Sequence, residues 1–205
     1  MDFRRPLRVV TPTLEGDVLR VMAGADAEFT GGEVHRLVEH GSRDGVRDAL
    51  DRLVDQGVVL CRPAGRAHLY RFNREHVAAP WIEGLAGVRQ QLLERLRSEI
   101  EGWAVQPVAA AVFGSVARGE AGPESDLDVF LVRPASADED TGWDEQVAAL
   151  AAAVTRWTGN DARPLEFRED ELAAGAGDEP VLRDVLEHGI EIGGSLRALR
   201  RRVRI

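Results

Sequence analysis

The chain has 205 residues and a mass of 22.4 kDa, enough for one large domain or two small ones. Its composition, 44% hydrophobic and 30% charged, is that of a globular protein, and no stretch nears the roughly 18 apolar residues that span a bilayer. The net charge of −9 argues against nonspecific coating of nucleic acid, and a single cysteine, Cys61, excludes an internal disulfide and a cysteine-based metal cluster. The start, MDFRRPLRVV, lacks the apolar run of a signal peptide, so the cytoplasm is the expected location and no membrane partner is expected. All 26 cations are Arg. Residues 1–80 hold 12 Arg and 12 acids, whereas residues 81–205 hold 14 Arg and 23 acids. Such an asymmetry predicts two modules with different partners.

Leu7–Pro12 reads as an extended lead. Leu14, Val18, Val21 and Met22 then recur at helical spacing up to Gly24. Thr30 and Glu33 have the spacing of a capping box, and Val34, Leu37 and Val38 form the apolar face of the short helix it opens. His40-Gly41 breaks that helix. Ser42 caps a third, with Val46, Ala49, Leu50, Leu53 and Val54 inward and Arg43, Asp44, Arg47, Asp48, Asp51 and Arg52 outward. Beyond Gly57, two β-rich runs, Val58–Arg62 and Ala67–Phe72, flank Pro63-Ala64-Gly65. Cys61 is expected in the core, with His68 and His76 on the surface.

Three helices followed by a hairpin resemble a winged helix-turn-helix, in which the third helix enters the major groove and the wing follows the DNA backbone. The DNA-binding residues this implies are Arg43 and Arg47 on the helix and Arg62, Arg66 and Arg71 on the wing. From Gly57 to Arg74 the wing carries four Arg and no acid, which suits phosphate contacts. Asp44, Asp48 and Asp51 on the same helix leave protein docking or dimerisation open as the module's use.

After Ala79-Pro80, the residues Trp81, Ile82, Leu85, Val88, Leu92, Leu96, Ile100 and Trp103 recur at steps of three and four. They predict one long amphipathic linker helix, its stripe packed on the second module or on another copy of the chain. Pro107 opens an apolar run, Val108–Phe113, that reads as a buried strand. Gly114-Ser115 follows, then a short helical turn at Val116–Gly119. Ten residues separate Ser115 from Asp126, and Asp126–Val132 reads as a second strand. Period-two alternation points Asp126 and Asp128 the same way. Two such carboxylates call for a cation between them, and hard oxygen ligands select Mg²⁺. Gly-Ser ahead of a helix offers backbone N–H groups that suit phosphate. These parts describe a site for a metal–nucleotide complex and in-line attack on phosphorus.

The string FGSVARGEAGPESDLDVFLV resembles the signature of the DNA polymerase β-type nucleotidyltransferase superfamily, and its GS-x-ARG opening and SDLD ending are most similar to the minimal nucleotidyltransferases. The matching segment covers about residues 105–170. The resemblance implies that Asp126 and Asp128 hold metal, as two Mg²⁺ ions. It implies a third carboxylate on a following strand, for which Glu166 within Arg163–Phe167 is the candidate metal ligand and general base. Gly114 and Ser115 would cradle the β/γ-phosphates, with Arg118 assisting. Helix Trp143–Trp157 and the turn Gly159-Asn160 lie between the second and third strands. Glu169, Asp170 and Glu171 read as the first turn of another helix, where acids are favourable. A helix at Val181–His188, a closing strand at Gly189–Gly194 and a basic tail at Arg197–Arg204 complete the segment that begins at Glu179.

The expected fold class is therefore α+β. A winged helix-turn-helix occupies residues 1–76, a linker helix 77–104 and a small mixed-sheet nucleotidyltransferase domain 105–205. The expected activity is Mg²⁺-dependent transfer of a nucleoside monophosphate, AMP from ATP in first place, to an acceptor hydroxyl. By the same resemblance the acceptor could be a protein, such as a cognate toxin of the HEPN type modified by its antitoxin. The alternative expectation is a DNA-binding transcription regulator whose transferase-like domain senses nucleotide or is inactive.

Overall fold

The computed structural model describes residues 1–137, 142–173 and 180–202. It is of the α+β class, with two sheets and ten α-helices among the described residues. Two compact units divide the chain between Val88 and Arg89; Asp2 belongs with residues 4–88, and Met1 and Phe3 with residues 89–205.

In residues 4–88 the order is α1 (Leu14–Ala23), β1 (Phe29–Thr30), α2 (Gly31–Val38), α3 (Arg43–Asp55), β2 (Val59–Ala64), β3 (Ala67–Phe72) and α4 (Ala79–Ala86). The extended lead is instead a 3₁₀ turn over Pro6–Val9. Pro6 opens it with a pre-set φ, and the turn buries Pro6 and Leu7. Both halves of the expected capping box form: Thr30 Oγ1 accepts from the Glu33 N–H at 3.3 Å, and the Thr30 N–H donates to Glu33 Oε2 at 2.7 Å. Ser42 caps α3 by accepting from the Gly45 N–H at 3.0 Å. Val46, Ala49, Leu50 and Leu53 then point into a core shared with Val18, Met22, Val34, Val59 and Phe72.

The antiparallel sheet of this unit has the order β1-β3-β2. With only two residues, β1 has no sequence signature of its own. Pro63 lies inside β2, which an edge strand tolerates because one row of its N–H groups faces away from the ladder. Cys61 is exposed rather than in the core, since β2 buries Val59 alone and leaves Leu60–Pro63 open.

The single linker helix does not form. Helix α4 ends at Gly87, and α5 (Val88–Glu101) follows as a separate helix. The spacing of three and four runs through the break, but its two halves serve different cores. Ile82 and Leu85 pack on the core of residues 4–88, whereas Leu92, Leu96 and Ile100 are buried within residues 89–205. Trp81 joins neither and is 76% exposed.

In residues 89–205, α5 is followed by β4 (Ala109–Phe113), α6 (Gly114–Arg118), β5 (Leu127–Arg133), α7 (Trp143–Thr158), β6 (Ala162–Arg168), α8 (Glu169–Ala173), α9 (Pro180–His188), β7 (Ile190–Gly194) and α10 (Leu196–Arg202). The sheet order is β6-β5-β4-β7, with β5 and β6 parallel and the other pairs antiparallel. Every strand predicted here forms. The basic tail is α10 as far as Arg202, and Glu179, Val203 and Arg204 lie outside the described residues. On one face of the sheet, Ala109, Ala111, Phe130, Val132, Leu165 and Phe167 meet Leu182, Val185 and Leu186 of α9. Leu127, Val129 and Leu131, fully buried or nearly so, point to the other face by alternation. Trp103 and Trp143 meet edge to face at 5.5 Å.

Leu131 is 0% exposed at the middle of β5. Leu131→Ala is expected to lower the stability of the 89–205 unit by about 2–5 kcal/mol. The check is a shift in denaturation midpoint followed by the near-ultraviolet signal of the Trp103–Trp143 pair.

Candidate active site

Strand β4 runs antiparallel to β5 with Phe113 opposite Asp128, so the turn after Phe113 meets that carboxylate. Gly114 sits there at φ +66, and a Cβ built on it would lie 2.5 Å from Asp128 Oδ2. The backbone conformation demands glycine, and a side chain there would displace the Asp128 carboxylate. Gly114 and Ser115 open α6, whose first N–H groups, as in any helix, have no partner inside it. Arg89 holds the other end of α6: its Nε donates to the Val116 carbonyl at 2.8 Å, and its Nη2 donates to that of Ala117.

Asp126 stands just before β5 and Asp128 within it. Burial pushes the Asp128 carboxyl above the ordinary carboxylate value, and the neighbouring Asp126 adds to the rise. Two cations oppose it, Arg163 and Arg118. Arg163 Nη1 is 2.9 Å from Asp126 Oδ2, and the parallel register of β5 and β6 sets Arg163 beside Asp128. Arg118 lies within electrostatic reach of Asp128, but its Nε donates to Glu120 Oε2 at 2.9 Å and its Nη1 is 3.9 Å from Asp184 Oδ2. The Glu120 contact holds the Arg118 guanidinium above its usual value.

Glu166 is not brought to this pair. It stands opposite Leu131 in the β5–β6 register, three residues or roughly 10 Å beyond Asp128 along the strand. Alternation also turns it to the opposite face: Arg163, Leu165 and Phe167 share the face of Asp128, while Glu166 accepts a hydrogen bond from Trp143 Nε1 at 2.6 Å. Among the described residues no group of three His, Cys, Asp or Glu is placed to hold a metal ion. The donor set that remains, Asp126 and Asp128, still fits a divalent cation. Both are hard oxygen ligands, and the raised Asp128 carboxyl marks a place where positive charge is favoured.

Asn160, in the turn after α7, is a buried amide, a feature with no sequence signature. It is 2% exposed, and its Nδ2 donates to the carbonyls of Ser125 at 2.7 Å and Gly122 at 3.2 Å. The Gly122 N–H in turn donates to Ser125 Oγ at 3.0 Å. This pins the loop that delivers Asp126.

The residues expected to meet DNA separate into two sets. Arg43, Arg47 and Arg66 line a cleft of about 780 Å³ with Thr30 and Tyr70, but Asp44 and Asp51 line it too, and Asp51 Oδ2 is 3.9 Å from Arg47 Nε. Arg62 is instead paired with Glu28 at 2.7 Å, and Arg71 with Asp26 at 2.8 Å. The wing is free of acids in sequence but not in space, because residues leading into β1 bring carboxylates to it.

Residues 89–187 match the family model described as a nucleotidyltransferase domain, in agreement with the resemblance read from Gly114-Ser115 and Asp126-Leu127-Asp128. No curated protein matches the chain. Solved structures with some likeness include a toxin-antitoxin with AMP-PNP, at 17% identity and TM-score 0.35, covering 56% of this chain and 80% of that one. A mutant of the toxin-antitoxin MntA-HpeT has 15% identity and TM-score 0.34 over the same shares. TrmBL2, an archaeal chromatin protein, has 13% identity and TM-score 0.32, covering 91% of this chain and 78% of that one.

A carboxyl whose folded value is raised contributes its stability in full below its ordinary value of 3.8, and that contribution is lost as pH rises through the raised value. Ionised Asp128 therefore costs stability at neutral pH. Asp128→Asn is expected to raise the melting temperature at pH 7, with the advantage shrinking as pH falls toward 4. Thermal melts of both proteins across that range check it. For the pinned loop, Asn160→Ala is expected to cost about 1–3 kcal/mol through unpaired carbonyls, read from the denaturation midpoint.

Proposed function

We propose that this protein transfers a nucleoside monophosphate from a nucleoside triphosphate to an acceptor hydroxyl, with AMP from ATP as the first candidate. The oxygen of the acceptor forms a bond to the α-phosphorus as the bond to pyrophosphate breaks. The observation that carries this reading is the approach of Asp128 to Gly114 at the mouth of α6, with Asp126 beside Asp128. A divalent ion held by the two carboxylates, Mg²⁺ in first place, would neutralise the charge that develops on the transferring phosphoryl group. Gly114 and Ser115 present backbone N–H groups to the β/γ-phosphates, and their closeness to Asp128 sets the triphosphate against the carboxylates. Arg118 stays at the rim, held by Glu120 and Asp184, and supports the charge of the site from there. Glu166 takes no part in the proposed step, since it faces away. A protein acceptor such as a toxin is the acceptor class that the motif's likeness to minimal nucleotidyltransferases favours.

We read residues 4–88 as a winged helix-turn-helix, with α3 as its reading helix and the β2–β3 hairpin as its wing. Arg43, Arg47 and Arg66 face one cleft and are its proposed DNA contacts. Arg62 and Arg71 contribute less, being engaged by Glu28 and Asp26. A second reading, a regulator whose transferase-like domain binds nucleotide without transferring it, is favoured by one observation. The residue of β6 in register with Asp128 is a cation, Arg163, where the superfamily resemblance calls for a third carboxylate.

Incubation with α-labelled ATP, Mg²⁺ and candidate acceptor proteins distinguishes the two. The transferase reading expects label transfer that chelation abolishes and that Asp126→Asn or Asp128→Asn reduces about 100-fold or more. Nucleotide binding with no transfer to any acceptor supports the regulator. For the N-terminal unit, Arg47→Ala or Arg66→Ala is expected to weaken DNA binding and lower the slope of log affinity against log salt by about one, with a smaller change for Arg62→Ala. Fluorescence anisotropy over a salt series reads both.

A further inference from the structure

The carboxylate pair already has a partner that the transfer reaction does not call for. Arg163 reaches across from β6 to Asp126 at 2.9 Å and lies in register with Asp128 on the same face of the sheet. Its side chain is 68% exposed while that of Asp126 is 30% exposed, so the contact is solvated, weak and free to exchange. A guanidinium is also a good phosphate ligand, with a planar fork of donors that matches phosphate oxygens. With Arg163 present, the three side chains at this level carry one net negative charge, a weak attraction for a bare divalent ion.

We propose that Arg163 is the resident counter-cation of this site: it occupies Asp126 in the nucleotide-free protein and yields that carboxylate when the triphosphate offers it an alternative anionic partner. Metal and nucleotide then bind with positive coupling. Nucleotide draws the guanidinium away from Asp126, and the vacated carboxylate is released to the ion. Linkage makes the effect reciprocal, so the ion raises nucleotide affinity by the same factor. The inference rests on reading Asp126 and Asp128 as a metal–nucleotide site, and it assigns Arg163 a positioning role there.

The test is Mn²⁺ binding, read by the loss of the free-ion electron paramagnetic resonance signal, with and without a non-hydrolysable ATP analogue and relative to protein-free samples with the same amount of analogue. In the absence of nucleotide, R163Q is expected to bind Mn²⁺ about 5-fold or more tighter than the unaltered protein, and the gain in affinity on adding nucleotide to shrink. R163K keeps the charge and is expected to hold bare Mn²⁺ weakly, as the unaltered protein does. Combined with D126N, R163Q is expected to add no further change, because the carboxylate it guards is gone. Equal Mn²⁺ affinity and equal nucleotide gain in R163Q overturn the proposal while leaving the metal–nucleotide reading standing. Absence of Mn²⁺ binding in all variants, with nucleotide present, overturns both.

Discussion

The site in the 89–205 unit turns on the passage of Gly114 against the Asp128 carboxylate. The antiparallel register sets Phe113 opposite Asp128, so that a side chain at position 114 would push the carboxylate aside, and φ +66 there demands glycine. That register is in turn fixed by a strand buried along its length: Ala109, Ala110, Ala111 and Val112 are all 0% exposed. A one-residue slip would turn the set packed against Phe130 and α9 to the wrong face. The carboxylate is thus held by the core of the sheet, and the desolvation that raises it is a consequence of that anchoring.

What surrounds the pair fixes the segment between its two halves. Ser115 and Asp126 are separated by ten residues, a length that could wander. Arg89 secures the near end through the carbonyls of Val116 and Ala117, and Asn160 secures the far end through those of Gly122 and Ser125. Both are buried or half-buried polar groups with several acceptors each. Such groups stabilise only when fully satisfied, so they tie the geometry of the site to the order of the loop around it.

Most of the secondary structure was legible in the sequence because its signals are local. Thr30 and Glu33 announce a capping box within four residues, and the alternation around Asp126 and Asp128 announces their shared face. What failed was information carried by distant segments. The stripe from Trp81 to Ile100 has helical spacing throughout, yet its halves are claimed by different cores and the helix stops at Gly87. Cys61 sits in an apolar run, but only its place on an edge strand decides that it is exposed. Glu166 was chosen as the carboxylate flanked by apolar residues on the third strand. The parallel register with β5 decides its face, and register cannot be counted from one strand alone. Arg163, three residues earlier, fell in the same run and on the correct face, but nothing in its sequence neighbourhood marks it as a partner of Asp126.

The arginines of both units follow one rule: a guanidinium acts according to which carboxylate reaches it first. In residues 4–88, Asp26 and Glu28 reach Arg71 and Arg62, and Asp51 stands 3.9 Å from Arg47, which leaves Arg43 and Arg66 to the cleft beside α3. In residues 89–205, Glu120 holds Arg118 at the rim while Arg163 meets Asp126. The net charge of −9 therefore describes neither surface. Ion pairing places these guanidiniums in a chain that contains no lysine. The Arg163–Asp126 pair is exposed and so weak in solvent, and its carboxylate stands just before the strand that bears Asp128.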